Sequence, residues 1–282
     1  NFFCSQTTNL IPMRRLILLL SKRQSRFASS RWLLLLLLTL GFTAGWKCAQ
    51  ASTSPNAPPE LKNLLTQIDT AANQRNVKAV MQFYSPNFKH GDGLNYQSME
   101  QALNALWKQY PQLKYSTQLQ SWKPQGNVII ADTVTKITGL PSPNNNNMAL
   151  SATITSRQQV SGGKILRQDI LSERTQVTSG SKPPRIDFKL PQQVAIGQQY
   201  NFDAIVQEPL GEDYILGTAL AEPIQANKYL RPTPVDLELL SSGGLFKIGK
   251  APMTPGSQWV SAVIMRGDGM TMITQRMQVV KK

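Results

Sequence analysis

"FYSPNFKHGDGLNY", residues 83–96, lies where a helical pattern gives way to an extended one, and it carries the only histidine of the chain, His90. His90 stands two positions before Asp92, and Asp92 is flanked by Gly91 and Gly93. In an extended segment, residues two apart share a face, so imidazole and carboxylate would point the same way. A neutral imidazole oriented by Asp92 would then serve as a general base. Two glycines around one aspartate predict a turn instead, which separates the pair and leaves His90 a polar residue at a strand end.

Reading outward from this stretch, Leu61, Leu64, Leu65, Ile68 and Ala72 recur on one face of a first helix. Asn76 is placed to cap a short second helix carrying Val77, Val80, Met81 and Tyr84. Ser98, with Gln101 three residues later, reads as the capping box of a third. Its apolar face is Met99, Ala102, Leu103, Leu106 and Tyr110, with Trp107 on the shoulder. Four extended segments follow. Leu113, Tyr115, Thr117 and Leu119 alternate with polar residues; Val128, Ile130 and Val134 share a face; so do Met148, Leu150, Ala152 and Ile154. The fourth, "KILRQDILSERTQV" (164–177), follows the hairpin signal Ser161-Gly162-Gly163. Asn144 to Asn147 read as a loop tip. Helices first and antiparallel strands afterwards predict an α+β layer, three helices against one concave face of an antiparallel sheet.

The second half reads as all strand. Ile186, Phe188 and Leu190 alternate with charged residues, as do Val235, Leu237 and Leu239. Tyr200, Phe202, Ala204 and Val206 form another inward set, Trp259 opens a further strand, and Asp268-Gly269 fits a tight hairpin turn. About seven short strands in this length predict a C-terminal all-β sandwich of immunoglobulin-like architecture. The expected organisation is a leader and signal peptide over 1–51, a tether over 52–59, the α+β domain over 60–179, a linker over 180–184 and the sandwich over 185–282.

The leader follows from Arg14, Arg15, Lys22, Arg23, Arg26 and Arg31, then the apolar run from Trp32 to Gly45, then Ala49-Gln50-Ala51. A bilayer span needs about 18 or more apolar residues, so the run suits a cleaved signal, with the cut between Ala51 and Ser52. The predicted destination is the periplasm or an equivalent compartment; the alternative is an N-terminal membrane anchor, the only expected membrane contact. Cys4 and Cys48 both fall in the segment removed, which excludes a disulfide framework, a thiolate nucleophile and a cysteine zinc site from the mature chain. Seven of the 30 basic residues precede Ser52, leaving 23 against 16 acidic ones and a net charge of +7. They are scattered, so no nucleic acid is expected as a partner. One histidine and dispersed acids offer no metal-ligand spacing, and no cofactor is expected.

Three stretches carry a family resemblance: "VMQFYSPNFKHGDG" (80–93), "SMEQALNALWKQY" (98–110) and "GGKILRQDILSE" (162–173). Together with the element order, they resemble the nuclear transport factor 2-like superfamily over about 60–179. The resemblance implies a cone with a pocket between helices and sheet. Members include catalysts, ligand binders, adaptors and structural dimers, so the site must decide function. The ketosteroid-isomerase branch uses a pocket carboxylate with a tyrosine and a protonated acid. Here there is no tyrosine between Glu60 and Gln74 and no acid between Asp132 and Asp169, which counts against it. The polyketide-cyclase-like branch relies on an Asp or His in the interior, for which His90, Asp92, Asp132 and Asp169 are the candidates. Strict alternation puts Asp169 on one face with Arg167 and Glu173, and a sheet-surface ion pair is the simpler reading. Tyr84, Phe88, His90, Trp107 and Tyr110 are the expected ligand-binding residues, although aromatics at helical spacing also fill cores.

The leading expectation is an exported, non-catalytic binding protein whose cone holds a small apolar ligand or a protein partner, with the sandwich as a second contact surface. The alternatives are an exported cyclase- or isomerase-like enzyme of a small hydrophobic substrate, and a cell-envelope assembly module. The resemblance also allows a homodimer through the cone-domain sheet.

Overall fold

Pro59 opens the first helix, where its missing N–H costs nothing and its fixed φ suits the first turn. The computed structural model describes residues 56–142, 147–209, 211, 213–267 and 269–281. The leader, both cysteines, the cut between Ala51 and Ser52, most of the asparagine run and Asp268 lie outside the described residues.

Helix α1 (Pro59–Asn73) buries Leu61, Leu64, Leu65 and Ala72, the face expected from their spacing. Asn76 caps α2 (Val77–Met81), its side chain accepting from the Ala79 N–H at 3.0 Å. Tyr84 does not extend that helix: it begins β1 (Tyr84–His90), because the chain must turn extended to lie beside the sheet. Helix α3 (Tyr96–Gln109) starts earlier than the Ser98/Gln101 pattern predicted. Asn95 is the cap, and Ser98 is the third helical residue that closes the capping box with it. Four long strands follow: β2 (Leu113–Gln125), β3 (Val128–Gly139), β4 (Ala149–Ser161) and β5 (Lys164–Ser179). Gly162 and Gly163 both adopt positive φ, +54° and +70°, as a two-residue hairpin between β4 and β5 requires.

The second half contributes β6 (Ile186–Lys189), β7 (Gln193–Ala195), β8 (Gln199–Val206), β9 (Ile215–Pro223), the 3-10 helix Ala226–Tyr229, β10 (Glu238–Leu239), β11 (Gly244–Lys250), β12 (Gly256–Arg266) and β13 (Gly269–Val280). The strand expected from Val235, Leu237 and Leu239 is reduced to the two residues of β10. Pro232 and Pro234 deny this segment ladder hydrogen bonds just before it, and Leu239 stays exposed.

The main sheet is ten-stranded and mostly antiparallel, with the path β10-β9-β12-β13-β5-β4-β3-β2; β1 lies parallel to β5 and β7 parallel to β13. The halves of the chain therefore share one sheet, joined where Met270–Gln275 of β13 pair with Ser179–Arg174 of β5. Strands β11-β8-β6 form a separate three-stranded sheet. Its Phe188, Phe202, Ala204 and Leu245 share one buried cluster with Val260, Ala262, Ile264, Ile273 and Met277 of the main sheet. A second cluster joins α1, α2, α3, β1 and the inner face of β2–β5. The described residues fall within a single compact unit. No helix among them is long and apolar enough to cross a membrane.

Two irregularities in β5 decide which side chains face inward. Thr155 pairs with Ser172 and Ser156 with Ile170, so Leu171 is an extra residue. Gln159 pairs with Arg167 and Val160 with Ile165, so Leu166 is another. Each bulge shifts the two-residue alternation by one. Ile165, Gln168, Ile170, Glu173 and Val177 consequently share the inner side, a set that strict alternation splits.

Candidate functional site

A cavity of about 270 Å³ separates the helices from the inner face of the sheet. Leu65, Ile68 and Ala72 of α1 and Met99, Ala102, Leu103 and Leu106 of α3 line its helical side, and Ile137, Ile154 and Ile170 face them from the sheet. The amphipathic spacing of α1 and α3 thus builds an apolar wall as well as a core. Trp107 donates its indole N–H to the Tyr115 hydroxyl at 2.8 Å, fixing both rings on the lining.

The acid on this wall was not singled out from the sequence. Asp69 of α1 accepts from the backbone N–H of Thr117 at 2.6 Å and from its hydroxyl at 2.7 Å. One turn later Asn73 exchanges bonds with the backbone of Tyr115, at 2.8 and 3.1 Å. β2 is an edge strand, and these two side chains satisfy edge groups that would otherwise be orphaned beneath the helix. The i,i+4 spacing on the helix matches the i,i+2 spacing on the strand, a correspondence visible only once helix and strand are docked.

At one end of the cavity a polar row crosses three neighbouring strands. His90 pairs in register with Gln168, and Gln168 with Gln158. All three line the cavity together with Ser156, whose hydroxyl accepts from the Gln168 amide at 3.2 Å. The carboxamide oxygens of Gln158 and Gln168 are buried with no hydrogen-bond donor among the described residues. A buried acceptor left unmade costs about 1–3 kcal/mol.

His90 and Asp92 meet, but not as a dyad. The turn expected from the glycines is present: Gly93, at φ +89°, donates its N–H to the His90 carbonyl at 3.0 Å. Gly91 allows the close approach to β5, since a Cβ there would stand 2.7 Å from Asp169 Oδ1. This turn brings the Asp92 backbone N–H to His90 Nδ1 at 3.2 Å. Nδ1 therefore accepts, whereas a catalytic His–Asp pair needs Nδ1–H to donate to the carboxylate. Asp92 Oδ2 is 3.6 Å from Nδ1, acceptor facing acceptor. Burial lowers the His90 pKa; Asp92 opposes the shift and Arg276 adds to it, so the ring is neutral at pH 7 with its proton on Nε2.

The carboxylate of Asp92 instead faces the second half of the chain. Arg276 of β13 grips it with both terminal nitrogens, 2.9 Å to Oδ1 and 2.7 Å to Oδ2, and the Tyr229 hydroxyl donates to Oδ2 at 2.5 Å. Arg276 also reaches Glu173 at 3.3 Å, and Trp259 donates its indole N–H to the same carboxylate at 3.0 Å. Burial works to raise the Asp92 pKa, but the bonds and charge of Arg276, with Tyr229, outweigh it and hold the carboxyl below its ordinary range. Burial and the nearby charges of Glu173 and Asp92 push the Tyr229 phenol well up. The Tyr229 ring stands edge-on to His90 at 6.1 Å and to Trp259 at 5.0 Å, and it lines the cavity. It ends the 3-10 helix after β9, which is tied back where Lys228 and Thr233 both meet Glu222, at 2.9 and 2.6 Å.

The other candidates sit elsewhere. Asp169 is held by both Arg167 nitrogens, at 2.8 and 2.6 Å, outside the cavity lining. Glu173 is not its face-mate: the bulge at Leu171 turns Glu173 inward to Arg276. Asp132 pairs with Arg157 of the adjacent strand, also outside the lining. Of the expected ligand-binding residues, Tyr84, His90 and Trp107 line the cavity. Phe88 and Tyr110 lie in the buried core outside it; Phe88 packs edge-on against Tyr84, ring centres 4.9 Å apart. Among the described residues no group of three or more His, Cys, Asp or Glu is placed to hold a metal ion.

Helices α1, α2 and α3 pack against a mostly antiparallel sheet, the α+β arrangement that the resemblance implied. Residues 181–280 match a family described as a domain of unknown function (DUF8623). No curated protein matches the chain. Among solved structures, it is similar to Bd1075 of Bdellovibrio bacteriovorus, 18% identical over 39% of this chain and 38% of that one, with a TM-score of 0.32. The chain thus spans well under half of that protein. It is also similar to AclR, a putative hydroxylase from Streptomyces galilaeus, at 14% identity over 39% of this chain and 73% of that one, TM-score 0.31. A putative scytalone dehydratase from Novosphingobium aromaticivorans is 6% identical over 39% and 80%, TM-score 0.34.

Proposed function

We propose that this protein is a non-catalytic binding protein that holds one small, largely apolar molecule between α1, α3 and the sheet. The observation that carries the reading is a cavity of about 270 Å³ walled by aliphatic and aromatic side chains, in which the acids are already engaged. Asp69 is spent on Thr117 and Glu173 on Arg276 and Trp259, while the His90 ring offers a donor rather than a base. Both carboxylates are thus tied to protein donors, and the His90 nitrogen that carries a lone pair is taken up by the Asp92 N–H. The volume lies just below the roughly 300–1,000 Å³ of pockets for drug-sized ligands, which suits a molecule of one or two rings.

In this reading the second half of the chain closes the cavity through Tyr229, and its immunoglobulin-like module offers a separate contact surface. The leader directs the protein to the periplasm or an equivalent compartment. The test is a titration of the methyl-labelled protein with indane, followed by NMR. The reading expects saturable 1:1 shifts of the Leu103, Ile137 and Ile154 methyls; shifts confined to surface methyls, or none, would overturn it.

A further inference from the structure

We propose that the ligand is a neutral molecule bearing one hydroxyl group, which is seated on the row formed by His90, Gln168 and Gln158. The proposal rests on the ligand-binding reading of the cavity and adds the chemistry of what is bound. With Nδ1 accepting from Asp92, the proton of the neutral ring is on Nε2, which has no protein partner among the described residues and is a donor. Along the same row, on β5 and β4, the two buried carboxamide oxygens of Gln168 and Gln158 are acceptors without donors among the described residues. The last torsion of a glutamine is soft, so the Gln158 carboxamide turns toward an arriving donor at little cost, and that of Gln168 does so by giving up its bond to Ser156. The row therefore asks for one group that both accepts and donates, and a hydroxyl is the smallest that does.

Charge is disfavoured on both sides. An ammonium would have to share Asp69 with the Thr117 donors and Glu173 with Arg276 and Trp259. A carboxylate would need a cation, and Arg276, whose side chain is 1% exposed, is committed to Asp92 and Glu173. A ketone would accept from His90 but leave both glutamine oxygens unmet. A plain hydrocarbon would leave the whole row unmet, the condition that a buried polar site penalises.

The experiment is calorimetric titration of the full chain at pH 7 with five probes of one shape: indane, 2-indanol, 2-indanone, 2-aminoindane and indane-2-carboxylate. The expected order puts 2-indanol about tenfold tighter than indane, with 2-indanone between them and the two ions at least tenfold weaker than 2-indanol. In Gln158→Leu/Gln168→Leu, the advantage of 2-indanol over indane falls to about twofold or less while indane still binds. Indane binding as tightly as 2-indanol to the unsubstituted chain would overturn this proposal and leave the binding reading standing. So would an ion or the ketone binding tightest. No saturable heat with any probe would overturn the binding reading and the proposal with it.

Discussion

Arg276 holds Asp92 through two hydrogen bonds, 2.9 and 2.7 Å long, across 184 residues of chain. The pair fastens the turn after β1 to β13 of the second half, and Glu173 and Tyr229 complete the cluster. Removing the cation would leave two largely buried carboxylates with only the neutral donors Tyr229 and Trp259. Breaking one partner of a buried pair typically costs about 3–5 kcal/mol, whereas exposed pairs contribute about 0–1. Arg276→Met is accordingly expected to lose several kcal/mol in urea unfolding. Arg157→Ala, which breaks the exposed pair with Asp132, is expected to lose under about 1 kcal/mol. Equal losses would mean that the cluster does not anchor the two halves.

Acid should weaken the fold in two steps. His90 titrates below its ordinary 6.5 because it is buried, with Asp92 and Asp169 opposing the shift and Arg276 and Arg167 adding to it. The unfolded chain therefore binds a proton there before the folded one does. Stability is whole above about pH 6.5, falls as pH drops toward the depressed value, and levels off below it. Asp92, also depressed, adds a second loss below its ordinary 3.8 as pH falls through its folded value. His90→Asn, whose carbonyl oxygen can take the Asp92 N–H, should abolish the first step and keep the second. Urea midpoints measured from pH 7.5 to 3 would show it, and an unchanged first step would contradict the assignment.

Tyr229 lines the cavity from the second half of the chain, and a closing role for its ring is testable. Tyr229→Phe keeps the ring and removes the bond to Asp92, so it should cost about 1–2 kcal/mol in stability and leave ligand affinity nearly unchanged. Tyr229→Ala removes the ring as well and should raise the dissociation rate of 2-indanol by more than tenfold in NMR exchange measurements. If both variants released 2-indanol at the same rate, the ring would have no closing role.

The parts that were legible in the sequence share one property: their signal is local. The faces of α1 and α3, the Asn76 cap, the Gly162-Gly163 hairpin and the turn at Gly91 and Gly93 each depend on residues within one or two turns of one another. What escaped is set by pairing. The bulges at Leu166 and Leu171 are invisible until β5 lies against β4, and they move Glu173 from the face of Asp169 to that of Gln168. Asp92 was assigned to its neighbour in sequence, yet its cation comes from β13. Tyr229 lies in a connection between strands that shows no apolar period, so nothing in the chain marked it as a wall of the cavity. Gln158 and Gln168 become a site only through register, because each alone reads as a polar residue in a strand.

The central claim is that the space beneath α3 is a binding site. Ala102 faces it from the middle of that helix, and Ala102→Phe should fill part of the cavity with little change to the fold, since the added ring occupies existing space. The deciding measurement is calorimetric titration of the unsubstituted chain and of Ala102→Phe with 2-indanol, with unfolding curves recorded for both. One ligand per unsubstituted chain, and at least a tenfold loss of affinity in a variant of equal or greater stability, is the predicted result. Unaltered binding by a well-folded Ala102→Phe would place the ligand elsewhere and contradict the account.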